Sequence, residues 1–140
     1  MTQTVLIVDD EPDIRELLDI TLSRMGLETY SASNLQEAMS MVASIKPDLC
    51  LTDMRLPDGN GISLVEYIQK DYPNIPVAMI TAHGSVEAAI AALKAGAFDF
   101  ISKPIELENL RRLVSTALQL DMDTSRAECA VDQELIGNAP

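Results

Sequence analysis

Positive charge is scarce in this sequence: ten Lys and Arg residues face twenty-two Asp and Glu, giving a formal net charge of −12 over 140 residues. A domain that grips nucleic acid needs Lys and Arg clustered against the phosphates, and here they are scattered, so direct nucleic-acid contact by this domain is not expected. Cysteine is nearly absent. Cys50 lies in an apolar run and Cys129 in a polar stretch, a spacing that suits neither a zinc site nor a disulfide framework and points to a reducing compartment. No segment has the unbroken apolar length of a membrane span. Met1-Thr2-Gln3-Thr4 leads straight into Val5 without the charged and apolar regions of a signal peptide. The expectation is a cytoplasmic chain with no membrane partner. Also missing are a phosphate-cradling GxxxxGK[ST] and a GxGxxG after the first strand. The glycines of Pro57-Asp58-Gly59-Asn60-Gly61 therefore read as a structural turn leading into a helix.

What is present is enough apolar material, 47% of residues, for one domain with a buried core. Short apolar runs alternate with amphipathic stretches five times, the pattern of a parallel sheet with helices on both faces. The strands are expected at Val5 to Val8, Glu28 to Ser31, Leu49 to Thr52, Val77 to Ile80 and Phe98 to Ile101. Pro12 opens the first helix, whose apolar positions are Ile14, Leu17, Leu18, Leu22 and Met25, and Gly26 stops it. Asn34 caps the second with Glu37 three residues on; Leu35, Ala38, Val42 and Ile45 form its apolar face and Pro47 ends it. The third presents Ile62, Val65 and Ile68. The fourth, Ser85 to Lys94, presents Val86, Ala89, Ile90 and Leu93, and the fifth Leu107, Leu110, Val114, Ala117 and Leu118. The periodicity fades after Asp121, so the domain is placed at residues 1–120, with 121–133 as a linker able to prolong the last helix.

In an open parallel sheet, ligands bind beyond the carboxyl ends of the strands. There the sequence is unusually polar: Asp9, Asp10 and Glu11 follow the first apolar run, Asp53 the third, Thr81 the fourth, and Lys103-Pro104 the fifth. Carboxylates brought together repel by roughly 4 kcal/mol per pair at 4 Å and an effective dielectric near 20, so the site needs cations. Lys103 supplies one charge, and a magnesium ion, which prefers oxygen ligands, would supply two more. Acids here also serve as helix caps, and for Glu11 capping and site membership remain equally open.

Val5-Leu6-Ile7-Val8-Asp9-Asp10-Glu11-Pro12, Asp53 within Leu51-Thr52-Asp53-Met54-Arg55-Leu56-Pro57-Asp58-Gly59, Thr81-Ala82 and Lys103-Pro104 together resemble the receiver domain of two-component response regulators over nearly all of residues 4–120. The resemblance implies a flavodoxin-like, doubly wound five-stranded parallel sheet, strand order 2-1-3-4-5, with five helices. It implies that Asp53 takes a phosphoryl group from a phosphohistidine on a sensor histidine kinase. Asp10 would hold magnesium directly and Asp9 mainly through water, with Asp53 and the backbone carbonyl of Arg55 completing the set. Lys103, before a proline that is cis in the family, and Thr81 would contact the phosphoryl group. Phe100 would be the switch aromatic, and Arg55 and His83 would tune dephosphorylation. The responding surface would be the fourth helix, fifth strand and fifth helix, a plausible homodimer contact. Lys94, Asp99, Arg111 and Arg112 could supply charge pairs across it.

The Ala95-Gly96-Ala97-Phe98-Asp99-Phe100 segment resembles the nitrogen-regulatory subfamily. Glu134-Leu135-Ile136-Gly137-Asn138-Ala139-Pro140 resembles the opening of the AAA+ ATPase domain of activators that work with the alternative sigma factor. The segments around Asp9 and Asp53 are similar to regulators of type IV pilus genes. The expectation is the phospho-acceptor part of a longer transcription activator whose DNA contacts lie in another domain. Two rivals stand beside it: a small magnesium-dependent phosphohydrolase, which would want a general acid where Arg55 stands, and a receiver-like interaction module that takes no phosphate.

Overall fold

The computed structural model describes residues 3–82 and 85–118. Along the chain these form β1 (Thr4–Val8), α1 (Pro12–Arg24), β2 (Glu28–Ala32), α2 (Leu35–Ile45), β3 (Leu49–Asp53), β4 (Arg55–Leu56), β5 (Gly59–Asn60), α3 (Gly61–Asp71), β6 (Val77–Thr81), α4 (Val86–Ala95), β7 (Asp99–Ser102) and α5 (Leu107–Leu118). The main sheet is wholly parallel in the order β2-β1-β3-β6-β7. This is the expected 2-1-3-4-5 order, with β4 and β5 set apart as a small antiparallel ribbon.

Strands β3 and β6 are buried at every residue, which is why they read as continuous apolar runs. Successive side chains of a strand point to opposite faces, and two core layers result. Leu6, Val8, Cys50, Val77 and Met79 pack with Ala38 and Val42 of α2 and Leu64, Val65 and Ile68 of α3. Val5, Ile7, Leu49, Leu51, Ala78 and Ile80 pack with Leu18 and Leu22 of α1 and Leu110, Leu113, Val114 and Leu118 of α5. Burial pushes the Cys50 thiol up to about 12, so it behaves as a small apolar side chain.

Local chemistry sets the helix ends. Pro12 is the first residue of α1, where its missing N–H costs nothing, and Gly26 takes φ 83° after its end. The Asn34 side chain accepts the Glu37 N–H at 2.8 Å, while Ser33 N–H donates to Glu37 Oε1 at 2.9 Å.

Two helices depart from expectation. In α4 the buried residues are Ala89 and Ala92, whereas Val86, Ile90 and Leu93 are 66%, 47% and 44% exposed. A 3.6-residue repeat reveals an apolar stripe but not what covers it, and here small alanines make the inner contact. In α5 the core positions are Leu110, Leu113, Val114 and Leu118; Leu107 in the first turn is exposed.

The Pro57-to-Gly61 segment does more than turn. It joins β4 to β5, and the Asp58 carboxylate accepts the N–H groups of Leu35 and Gln36 at 2.7 and 3.0 Å. A side chain from a different segment thus satisfies two of the free donors that open α2. These backbone hydrogen bonds hold the Asp58 carboxyl below its usual range. A depressed carboxyl stabilises the fold above its unfolded pKa, and the stabilisation is lost as pH falls through the folded value. Asp58→Ala should therefore lower the thermal midpoint at pH 7, with the gap from wild type closing as the solution is acidified below the ordinary carboxyl range. A gap unchanged in acid would show that the ionised carboxylate is not what holds the ribbon to α2.

Candidate functional site at the carboxyl edge of the sheet

The strand order reverses between β1 and β3, and the crevice opened there lies beyond their carboxyl ends. Asp9 directly follows β1, Asp53 closes β3, and Thr81 closes β6. All three are buried, Asp9 fully. Asp10 is exposed, yet Asp9, Asp10 and Asp53 each bring a carboxylate oxygen within 4.8 Å of the others.

Lys103, just past β7, reaches into this group. Its Nζ lies 2.8 Å from Glu11 Oε1, 3.3 Å from Asp53 Oδ2 and 3.6 Å from Asp9 Oδ2. The Lys103–Pro104 peptide bond is cis, as expected, and Lys103 N–H donates to the Thr81 carbonyl at 2.8 Å. Burial alone would lower the Lys103 ammonium, but its hydrogen bond to Glu11 and the charges of Asp53 and Asp9 outweigh that, and the net displacement is upward. Lys103 stays charged.

Asp9 behaves oppositely to an ordinary surface acid. Burial pushes its carboxyl up to about 6, against the Glu11 N–H that stabilises the anion, with the Asp53 charge adding to the rise and Lys103 opposing it. Its Oδ1 accepts that N–H at 2.8 Å, whereas Oδ2, 3.6 Å from Lys103 Nζ, is buried with no hydrogen-bond donor among the described residues. A buried carboxylate oxygen without a donor costs free energy. Asp9, Asp10 and Asp53 together form a cluster of hard oxygen donors, the set a divalent cation such as magnesium selects.

Two contacts here were not legible in the sequence. Glu11 occupies the position preceding α1 but makes no side-chain cap there; its carboxylate holds Lys103, which resolves the two readings left open for it. Arg15, one turn into α1, donates from Nη1 to the Asp9 carbonyl at 2.7 Å. Nothing in periodicity or motif marks that bond, because it depends on how α1 folds back over the strand end.

The remaining expected positions are more spread. Arg55 is exposed in β4, and His83 lies outside the described residues, as do the segments 121–133 and 134–140. Thr81 is buried, with its hydroxyl 3.5 Å from the Ile101 carbonyl. Phe100 is not core: it is 36% exposed on the edge strand β7. There it lines an apolar groove of about 220 Å³ with Val86, Ala89, Ile90 and Leu93 of α4.

Comparison with known proteins agrees with this architecture. Residues 5–115 match the family described as the response regulator receiver domain. The response regulator protein PilR of Pseudomonas aeruginosa is 60% identical over 138 residues, which is 99% of this chain and 31% of PilR. The chain thus spans about a third of that relative's length. Among solved structures, the receiver domain of NtrX from Brucella abortus superposes with a TM-score of 0.79 at 37% identity, covering 84% of this chain and 99% of that one. The beryllofluoride-activated NtrC4 receiver domain dimer superposes with a TM-score of 0.78 at 33% identity, covering 83% and 96%. With its five-stranded parallel sheet and its acids and lysine gathered where the strand order reverses, the chain belongs to the response regulator receiver domain family.

Proposed function

We propose that Asp53 accepts a phosphoryl group from a phosphohistidine of a sensor histidine kinase and that the modified domain switches an attached transcription activator. The observation that carries this reading is the convergence of Asp53, Asp9 and Asp10 at one sheet edge, with Lys103 reaching Asp53 and Asp9. In the transfer, an Asp53 carboxylate oxygen attacks phosphorus, the phosphorus–nitrogen bond breaks, and the imidazole nitrogen leaves with the electron pair. Such transfers need little beyond positioning and stabilisation of charge on the equatorial oxygens.

Lys103 supplies one fixed positive charge for those oxygens, and the Thr81 hydroxyl can donate to another after leaving the Ile101 carbonyl. The residues fit magnesium: Asp9, Asp10, Asp53 and the backbone carbonyl of Arg55 would hold it, Asp9 mainly through water, and the Asp9 Oδ2 that accepts no hydrogen bond among the described residues supports that assignment. When bound, magnesium adds positive charge beside the phosphoryl oxygens. Arg55 and His83 are assigned to tuning the lifetime of the aspartyl phosphate.

A phosphoryl group adds nearly two negative charges and biases a surface only through differential interactions. The responding surface is α4, β7 and α5, where Val86, Ile90, Leu93 and Phe100 already lie exposed. Phe100 moves under α4 in the active state, and the apolar face becomes the contact of a homodimer. The solved NtrC4 receiver dimer, a relative at 33% identity, supports pairing between such domains. The similarity to PilR supports an output at type IV pilus genes through an AAA+ ATPase domain beginning near residue 134 and a separate DNA-binding domain, in a cytoplasmic activator.

Intact mass after incubation with magnesium and acetyl phosphate tests this. One magnesium-dependent phosphoryl adduct is expected on the wild-type chain and none on Asp53→Asn. Steady phosphate release with no trappable adduct would point instead to a phosphohydrolase, and an adduct on Asp53→Asn would displace Asp53 as the acceptor.

A further inference from the structure

Lys103 makes its shortest Nζ contact with an acid that is neither the proposed phosphoryl acceptor nor a proposed metal ligand. Its Nζ donates to Glu11 Oε1 at 2.8 Å and to Asp53 Oδ2 at 3.3 Å, and it stands 3.6 Å from Asp9 Oδ2. The two residues are 92 positions apart, so the pair ties the start of α1 to the loop after β7. Glu11 occupies the position that usually caps a helix, yet its carboxylate caps nothing and is directed to Lys103 instead.

The three acids that share Lys103 are not equivalent. The Asp9 side chain is 0% exposed and that of Asp53 11%, whereas Glu11 is 57% exposed. Only Glu11 can release the ammonium and turn into water without leaving a buried charge unpaired, a far smaller penalty than stranding a buried carboxylate.

We infer that Glu11 is a positioning residue that competes with the phosphoryl group for Lys103, holding the ammonium at the rim of the crevice in the resting state and yielding it on phosphorylation. This rests on the phospho-acceptor reading of Asp53. It follows that the free energy of breaking the Glu11–Lys103 pair opposes each phosphorylation event, so Glu11 lowers occupancy of the active state.

Beryllofluoride, which activates the related NtrC4 receiver, is the probe, titrated by calorimetry in the presence of magnesium into the folded chain and its variants. Glu11→Gln removes the competing charge and should tighten binding by about two- to fivefold, the range of a partly exposed ion pair. Glu11→Asp keeps the charge but is one methylene shorter and loses the hydrogen bond; it should tighten binding similarly. In a Lys103→Ala background, Glu11→Gln should change nothing.

Unchanged or weakened binding in Glu11→Gln overturns the competition. So does wild-type behaviour of Glu11→Asp, which would mean that only the local negative charge matters. So does an effect of Glu11→Gln that persists without Lys103. Failure of the wild-type chain to bind beryllofluoride at all would overturn the phospho-acceptor reading itself, a result separable from any of these.

Discussion

Gly61→Ala is expected to destabilise the domain by about 3 kcal/mol or more, at or above the upper end of ordinary overpacking, and to abolish phosphoryl-adduct formation. Gly61 opens α3, and its N–H donates to the Met54 carbonyl at 2.7 Å. A Cβ there would lie 2.2 Å from the Asp53 carbonyl oxygen and 3.1 Å from Met79 Sδ. The sulfur can give way, but the carbonyl cannot readily do so. It belongs to β3, whose residues pair with β6 up to Asp53 itself, and the next N–H, of Met54, is held by the Ile80 carbonyl at 3.0 Å. Either α3 lifts from the sheet or the strand end carrying Asp53 shifts. Domain stability is typically only about 5–15 kcal/mol, so urea unfolding will resolve the loss, and intact mass with acetyl phosphate will report the acceptor. Wild-type stability with a normal adduct would show that the close approach relaxes without moving Asp53.

Asp9 sets the second large effect. In the folded chain its carboxyl is raised to about 6, whereas in the unfolded chain it titrates near 3.9. Between those values the native state binds more protons than the unfolded state, so stability falls as pH rises, and the loss is complete once pH passes the folded value. A displacement from near 3.9 to about 6 corresponds to about 3 kcal/mol. In the presence of a chelator, this contribution should be present at pH 4 and gone by pH 7, superposed on the opposite trend of Asp58. Lys103 remains charged across that window. Asp9→Asn should remove the fall and leave the metal-free protein more stable than wild type at neutral pH. Magnesium at a hundredfold excess over its dissociation constant would restore about 2.7 kcal/mol to the wild type and much less to Asp9→Asn. Chemical denaturation at several pH values, with and without magnesium, checks both. A wild-type stability indifferent to magnesium at pH 7 would remove the ion from the site.

The strands, the parallel sheet flanked by helices and the strand-end acids were legible because they follow from short-range rules, whereas the strand order was implied by the resemblance to the receiver family. A strand buried on both faces must be apolar throughout, so β1, β3 and β6 stand out as runs. Polar residues immediately after such runs have nowhere to go but the sheet edge, which is the end of the sheet where Asp9, Asp53 and Thr81 stand, with Lys103 after the edge strand. Helix ends written in Pro12, Gly26 and Asn34 were equally local.

What stayed hidden depends on packing between segments distant in the chain. The stripe of α4 looked like core, yet Val86, Ile90 and Leu93 face outward while Ala89 and Ala92 make the inner contact. The hydrogen bonds from Asp58 to the start of α2, from Arg15 to the Asp9 carbonyl, and between Glu11 and Lys103 join segments whose proximity no sequence period encodes. The α/β class, a parallel sheet flanked by helices, and the residue types that gather at its carboxyl edge were written in the chain, because hydrophobic period and strand polarity act over a few neighbouring residues. That Asp9 lies fully buried with one oxygen accepting no hydrogen bond among the described residues, and that Glu11 rather than Asp53 is the nearest partner of Lys103, emerges only from the packed layers. Burial and ångström-scale distances are properties of the assembled layers and not of any one segment.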